Sequence, residues 1–250
     1  VLPSPRRISR SADSQRAGEH TKPIQNVNKE DDSMATEAGP SASDLVYLFG
    51  DRFAKKARLG GEQLVYGGSK VNDKDLGEQL LLASLADLTS KGHLGLELVE
   101  QKKLGLFTSR DVLVTRLSTP QATLYGMDAA VWDNLAGDPQ QDRVRDLIAR
   151  IIGDTRLNPW RDLVEFTKKG LAEQGYLNAD KEELRFRPDK VHWSPNEELI
   201  LPHEGKVEQV KAQLSALEGR DRALYKQLLD SVKKGIKAMV EESDTDVDFD

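Results

Sequence analysis

The chain has 250 residues, 31% of them charged and only 6% aromatic, with a net charge of −6 and no cysteine. The absence of cysteine excludes disulfides, thiol nucleophiles and thiolate metal sites. The acidic balance argues against a uniformly basic nucleic-acid or membrane binder. No apolar run reaches the ~18–20 residues that span a bilayer, and no apolar h-region follows the N-terminus, so a cytoplasmic protein is the expectation.

Residues 1–43 are rich in Ser, Arg, Asp, Asn and Pro and show no hydrophobic period. Such a segment buries too little apolar surface to offset its ordering entropy, which predicts disorder. Met34 opens MATEAGPSASDL, which reads as an ordinary start of translation, and intact mass of the natural protein would check it. The Arg6, Arg7, Arg10 cluster is followed by five acids, which argues against a transit peptide.

A helical domain is predicted over 44–240. Ser43 is expected to cap a first helix over 44–58, carrying Leu45, Leu48, Phe49, Phe53 and Ala57 on one stripe. Asp73 or Asp75 caps a helix over 73–91 with a broad apolar face (Leu76, Leu80, Leu81, Leu82, Leu85, Leu88), as befits a central, multiply packed helix. Alternation then takes over. Leu94, Leu96 and Leu98 on one arm and Val112 and Val114 on the other predict a β-hairpin.

Thr119-Pro120, Asp138-Pro139 and Asn158-Pro159 each place a capping side chain before a proline, the punctuation that opens a helix. Residues 176–191 predict a second short hairpin or an extended excursion, and 204–217 and 220–240 a pair of antiparallel helices. The tail, 241–250, holds six acids and no base and is expected to be solvated and disordered. The predicted fold class is therefore mainly α, a single-domain helical array around a central helix with a β-hairpin.

Two groups of residues stand out as candidate sites. The hairpin loop gathers Lys102, Lys103 and Arg110 around Leu104, Leu106 and Phe107, and exposed loops normally avoid large apolar side chains. Two leucines and a phenylalanine offer at most roughly 1.5–3 kcal/mol each on full burial in lipid. Each base adds about 1 kcal/mol at an anionic surface. The sum is a weak, reversible anchor that oligomerisation would multiply. The bland alternative folds the apolar residues back on the body. Lys70, Lys74, Arg161, Lys168 and Lys169 form the second group, as either a phosphate site or a solvated helix face. Trp160, beside Arg161, is the tryptophan expected to be partly exposed. The four histidines show no metal-ligand spacing, GGSK at 67–70 lacks the nucleotide-loop pattern, and no carboxylate pair is marked. No catalytic residue, metal or cofactor is assigned, and the chain is read as a non-enzyme.

A helix, a basic-apolar hairpin, a Thr-Pro helix, an Asn-Pro helix ending EQGYL and a late RDRALYKQLL segment resemble, in that order, the Golgi phosphoprotein 3 family, which has bacterial members. The resemblance covers roughly 77–239 and rests on SKGHLGLELVEQKKLGLFTSRDVLV, GDTRLNPW and KKGLAEQGYL. It implies a mostly helical domain that associates peripherally with anionic phospholipids of the phosphoinositide kind, on the inner face of a membrane. It also implies client proteins and a hairpin used for membrane contact or self-association. Eukaryotic members bind phosphatidylinositol 4-phosphate and retain Golgi glycosyltransferases. This chain departs from their pocket: it has no Trp near Asn72, it has Leu81 or Leu82 where an arginine is expected, and only Arg161 stands in for two arginines of the Asn-Pro helix. Two alternatives stand beside this reading. One is a winged-helix-like nucleic-acid binder, opposed by net charge and by the apolar helix 73–91. The other is a soluble scaffold that self-associates through the hairpin.

Overall fold

The computed structural model describes residues 39–103, 107–136, 142–153, 158–182 and 190–245. Of the segments predicted to be disordered, 1–43 and 241–250, residues 1–38 and 246–250 lie outside the described residues, while 42–43 open the first helix and 241–245 continue the last one, contrary to expectation. What is described is mainly α-helical, with three separate two-stranded antiparallel sheets.

Helix α1, Ala42–Leu48, opens on Ser41, not on Ser43. The Ser41 hydroxyl accepts from the Asp44 N–H at 3.2 Å, and the Asp44 carboxylate accepts from the Ser41 N–H at 3.0 Å, a reciprocal cap. The helix stops at Phe49 and a 3₁₀ turn, Gly50–Arg52, replaces the expected continuation to residue 58. The cap shift matters for packing, because it frees Ser43 to turn inward. All seven residues of α1 are buried.

Strands β1 (Glu62–Gln63) and β2 (Lys70–Val71) form a small ribbon that leads into α2, Asp73–Ser90. Asn72 caps α2, its side chain accepting from the Asp75 N–H at 3.0 Å. From Leu80 through Leu88 every residue of α2 is buried. The helix packs against α1 and against β3, Leu94–Lys103, which pairs with β4, Phe107–Arg116. The register places Leu94, Leu96 and Leu98 opposite Arg116, Val114 and Val112. Leu94, Val112 and Val114 are buried, as the period of two requires.

Thr119-Pro120 does not open a helix. The chain stays irregular to Tyr125, and α3 runs Gly126–Asp133. Gly126 has φ +53°, and it is pressed against Gly170 of α5, Pro159–Glu173. Asp138-Pro139 lies outside the described residues, and the next helix, α4, is Val144–Ile152. Asn158-Pro159 does cap α5, with the Asn158 side chain accepting from the Arg161 N–H at 3.2 Å.

The second hairpin is β5 (Leu177–Glu182) with β6 (Lys190–Pro195), followed by the short α6, Glu197–Ile200, and a 3₁₀ segment, Leu201–Lys206. Helices α7, Val207–Arg220, and α8, Arg222–Thr245, close the array. They bury Val207, Val210 and Leu214, and Leu228, Val232 and Ile236, against α2 and α4.

Candidate anionic-phosphate site

The five cations singled out in the sequence do not form one cluster. Gly77 of α2 lies against Trp160 and Leu163 of α5, where an added Cβ would sit 3.4 Å from each side chain. The N-terminal turns of two helices, of 18 and 15 residues, are therefore side by side. Each end contributes positive potential from its exposed backbone dipoles. The Lys74 ammonium sits over the Trp160 indole at 4.7 Å, a cation–π contact that fixes the charge at this junction. Arg161 is exposed beside it. The Trp160 Nε1–H is buried and has no acceptor.

Asp162 is a counterweight. Burial pushes its carboxyl up, while the charges of Arg161 and then Lys169 pull it down. Lys169 therefore belongs to the same electrostatic neighbourhood, and it is exposed. The Asp162 Oδ2 atom is buried without a donor. Asp73 and Asp75 stand in the first turn of α2 as Asp162 does in that of α5, so Lys74, Arg161 and Lys169 face three carboxylates, with Lys55 pairing to Asp75 at 3.7 Å.

Lys168 is not part of this face. It is 6% exposed, and its ammonium pairs with Glu62 at 2.6 Å and Glu165 at 2.9 Å, 5.9 Å from the Tyr47 ring. The Tyr47 hydroxyl leans on Glu62 at 3.4 Å. Burial, then the Glu62 charge, pushes that phenol far above its ordinary range. Lys168 is a structural cation joining α1, β1 and α5. The only local signal for it is the Glu165–Lys168 spacing of three; Glu62 arrives from a hundred residues away.

Lys70 lines a separate cleft of about 440 Å³ with Lys56, Ser69, Gly68 and Asp51. Lys56 has no motif to mark it, and it reaches Lys70 through the bridge between Lys56 and Val71.

At the hairpin, Leu104 and Leu106 lie outside the described residues, as do the side chains of Lys102, Lys103 and Phe107. Arg110 is described, and its guanidinium pairs with Glu100 across the ladder at 2.8 Å. Its carbonyl accepts from Gln227 of α8 at 3.0 Å, anchoring the hairpin root to the body. No helix among the described residues is long and apolar enough to cross a membrane. Among the same residues no group of His, Asp or Glu has metal-binding geometry.

Together these features define a class: a mainly helical fold in which the N-termini of two helices meet and gather cations and carboxylates at one junction. The chain matches no family model, no curated protein and no solved structure.

Proposed function

We propose that this protein is a non-enzymatic peripheral membrane or adaptor module of the Golgi phosphoprotein 3 type, a helical array organised on α2 that binds anionic phospholipid headgroups. The observation that carries the reading is the Lys74–Trp160 contact at the joined N-termini of α2 and α5. A cation held on an aromatic platform is pre-positioned, so a phosphate binding there costs little side-chain ordering. The paired helix ends favour an anion at the same point. Arg161 and Lys169 widen the attraction, and the basic-apolar hairpin supplies a second, reversible contact. A clustered patch of this kind works despite the net charge of −6, because screening confines each charge to about 8–10 Å at physiological salt.

A nucleic-acid role has less support. The helix before the hairpin is buried through its second half and has no face to offer a groove.

Co-sedimentation with neutral and anionic liposomes tests the proposal, at low and moderate salt. Lys74→Glu/Arg161→Glu should weaken binding to anionic vesicles by about 30-fold or more, since each base contributes about 1 kcal/mol. Lys102→Glu/Lys103→Glu should weaken it independently. Equal binding to neutral and anionic vesicles, or no binding, would overturn the membrane reading. Loss of self-association in Leu106→Asp/Phe107→Asp with lipid binding intact would favour the scaffold.

A further inference from the structure

Helix α1 carries polar groups into the interior. Ser43 and Asp44 are 0% and 1% exposed, and they meet Asp128 of α3, itself 2% exposed. The Ser43 hydroxyl donates to Asp128 Oδ1 at 3.0 Å. Asp44 Oδ2 accepts from the Ser41 N–H and from Gln174 Nε2 of α5, both at 3.0 Å. Two buried atoms at this junction remain without a hydrogen bond: Asp44 Oδ1 and the hydroxyl oxygen of Ser84, on α2.

The groups facing this junction can be enumerated by element. Helix α2 brings Ser84, Asp87 and Lys91, and the Lys91 ammonium is held by Asp87 at 2.6 Å. Helix α7 brings Gln213, which donates to Asp87 Oδ1 at 3.3 Å. Helix α5 brings Gln174 and Thr167, whose hydroxyl donates to the Leu163 carbonyl at 3.2 Å, while Lys168 is occupied by Glu62 and Glu165. Helix α4 touches the far end of α3, where Arg150 donates to the Asn134 carbonyl at 2.7 Å. Asp128 thus receives the Ser43 hydroxyl, while the Ser84 hydroxyl and, less strongly, the Lys91 charge also favour its ionised form, and no cation among the described residues pairs with it directly.

A buried carboxylate in that position carries an incompletely compensated charge, and binding a proton removes it. Burial first, then the charge of Asp87, pushes Asp128 from 3.8 up to about 7. Burial also pushes Asp44 up.

We propose that Asp128 and the Ser43–Asp44 turn of α1 form a proton-operated latch: a neutral Asp128 holds α1 in the bundle, and an ionised one loosens it. The sign follows from proton binding. When α1 opens, Asp128 regains an ordinary carboxyl pKa, so the closed state binds one more proton between pH ~4 and ~7. Opening therefore becomes about tenfold easier per pH unit across that window and levels off above it. The ligand of this site is the proton, and the responding element is the N-terminal helix.

Hydrogen exchange on the full chain, corrected for intrinsic exchange at each pH, reads the latch directly. Protection of Ala42–Leu48 should fall about tenfold from pH 5.5 to 6.5 and level off above about pH 7. Asp128→Asn should flatten that profile. Carboxyl-carbon NMR titration of the wild-type protein, which requires no variant to fold, should show one aspartate with a midpoint near neutrality. Aspartate midpoints all below 5.5, a pH-independent α1 profile, or an unchanged slope in Asp128→Asn would overturn the proposal. So would equal opening free energies for Ala42–Leu48 and for Leu224–Ile236 of α8 at every pH, because α1 would then open only by global unfolding.

Discussion

The crossing of α3 over α5 makes a prediction whose sign runs against ordinary helix chemistry. Gly170 lies within α5, where Gly→Ala normally stabilises by about 0.5–1 kcal/mol. Here the added Cβ would lie 2.2 Å from the Gly126 nitrogen, 2.3 Å from its Cα and 3.1 Å from the Tyr125 carbonyl carbon. The backbone of α3 would have to retreat by roughly 1.3 Å to restore a ~3.5 Å contact. That backbone cannot turn aside as a side chain would, and Gly126 already holds a left-handed φ of +53°. Overpacking against rigid backbone falls at the upper end of its usual range, about 3 kcal/mol. Less the propensity gain of about 1 kcal/mol, Gly170→Ala should destabilise by about 2 kcal/mol. Urea unfolding followed by far-UV circular dichroism is the assay. With a slope of roughly 2–3 kcal/mol/M, the midpoint should fall by about 0.7–1 M. A midpoint equal to or above wild type would refute the claim that the two glycines exist to let the helices touch.

Gly219, near the end of α7, is the matched control, because nothing lies within 4 Å of its added Cβ. Gly219→Ala should raise the urea midpoint by a few tenths of a molar, corresponding to about 0.5–1 kcal/mol. Lys168→Met removes the cation between Glu62 and Glu165 and should cost about 3 kcal/mol in the same assay. It should leave anionic-liposome binding by the folded protein unchanged, since Lys168 is buried away from the surface. For Asp128→Asn the comparison is across pH. The wild-type carboxyl is raised in the folded state, so its contribution to stability is fully present below about pH 4 and lost as pH rises through about 7. The variant should therefore match wild type near pH 4 and exceed it at pH 8, by at most about 4 kcal/mol, with thermal melts at both pH values as the measurement.

Much of the helical frame was legible because its signals are local. Asn158-Pro159 marked α5 to the residue, and alternation over Leu94–Leu98 and Val112–Val114 marked the hairpin. Thr119-Pro120 carried the same punctuation and failed. The left-handed Gly126, set by contact with Gly170, fixes where α3 begins, and that partner is 44 residues distant. The first helix was over-extended because Phe53 and Ala57 continue the apolar spacing, while the chain turns at Phe49 to meet β2: the Ala57 N–H donates to the Lys70 carbonyl. At the candidate site, Lys74 and Arg161 were visible as basic residues near helix starts. That α2 and α5 begin side by side was not visible, since only packing through Gly77 aligns them. Lys168 looked like any surface lysine, Asp44 stood at a predicted helix start, and Asp128 lay unmarked inside the helix expected from Thr119-Pro120. Their burial is decided by partners 85 to 130 residues away, which no window of sequence reports.

The position of α1 in the chain also sets an order of assembly. It is among the first described elements to leave the ribosome, yet it is enclosed by α5 and α7, which follow it by more than a hundred residues. At about 5–20 residues per second, α7 emerges roughly 10–30 s after α1. During that interval Leu45, Val46, Tyr47 and Leu48 have α2 as a partner but not the later helices that complete their burial. Ser43 and an ionised Asp44 keep the segment hydrated while it waits, and those groups lose their water when the later helices arrive. The two side chains that burden the finished interior are thus the polar groups that interrupt this apolar segment in the nascent chain.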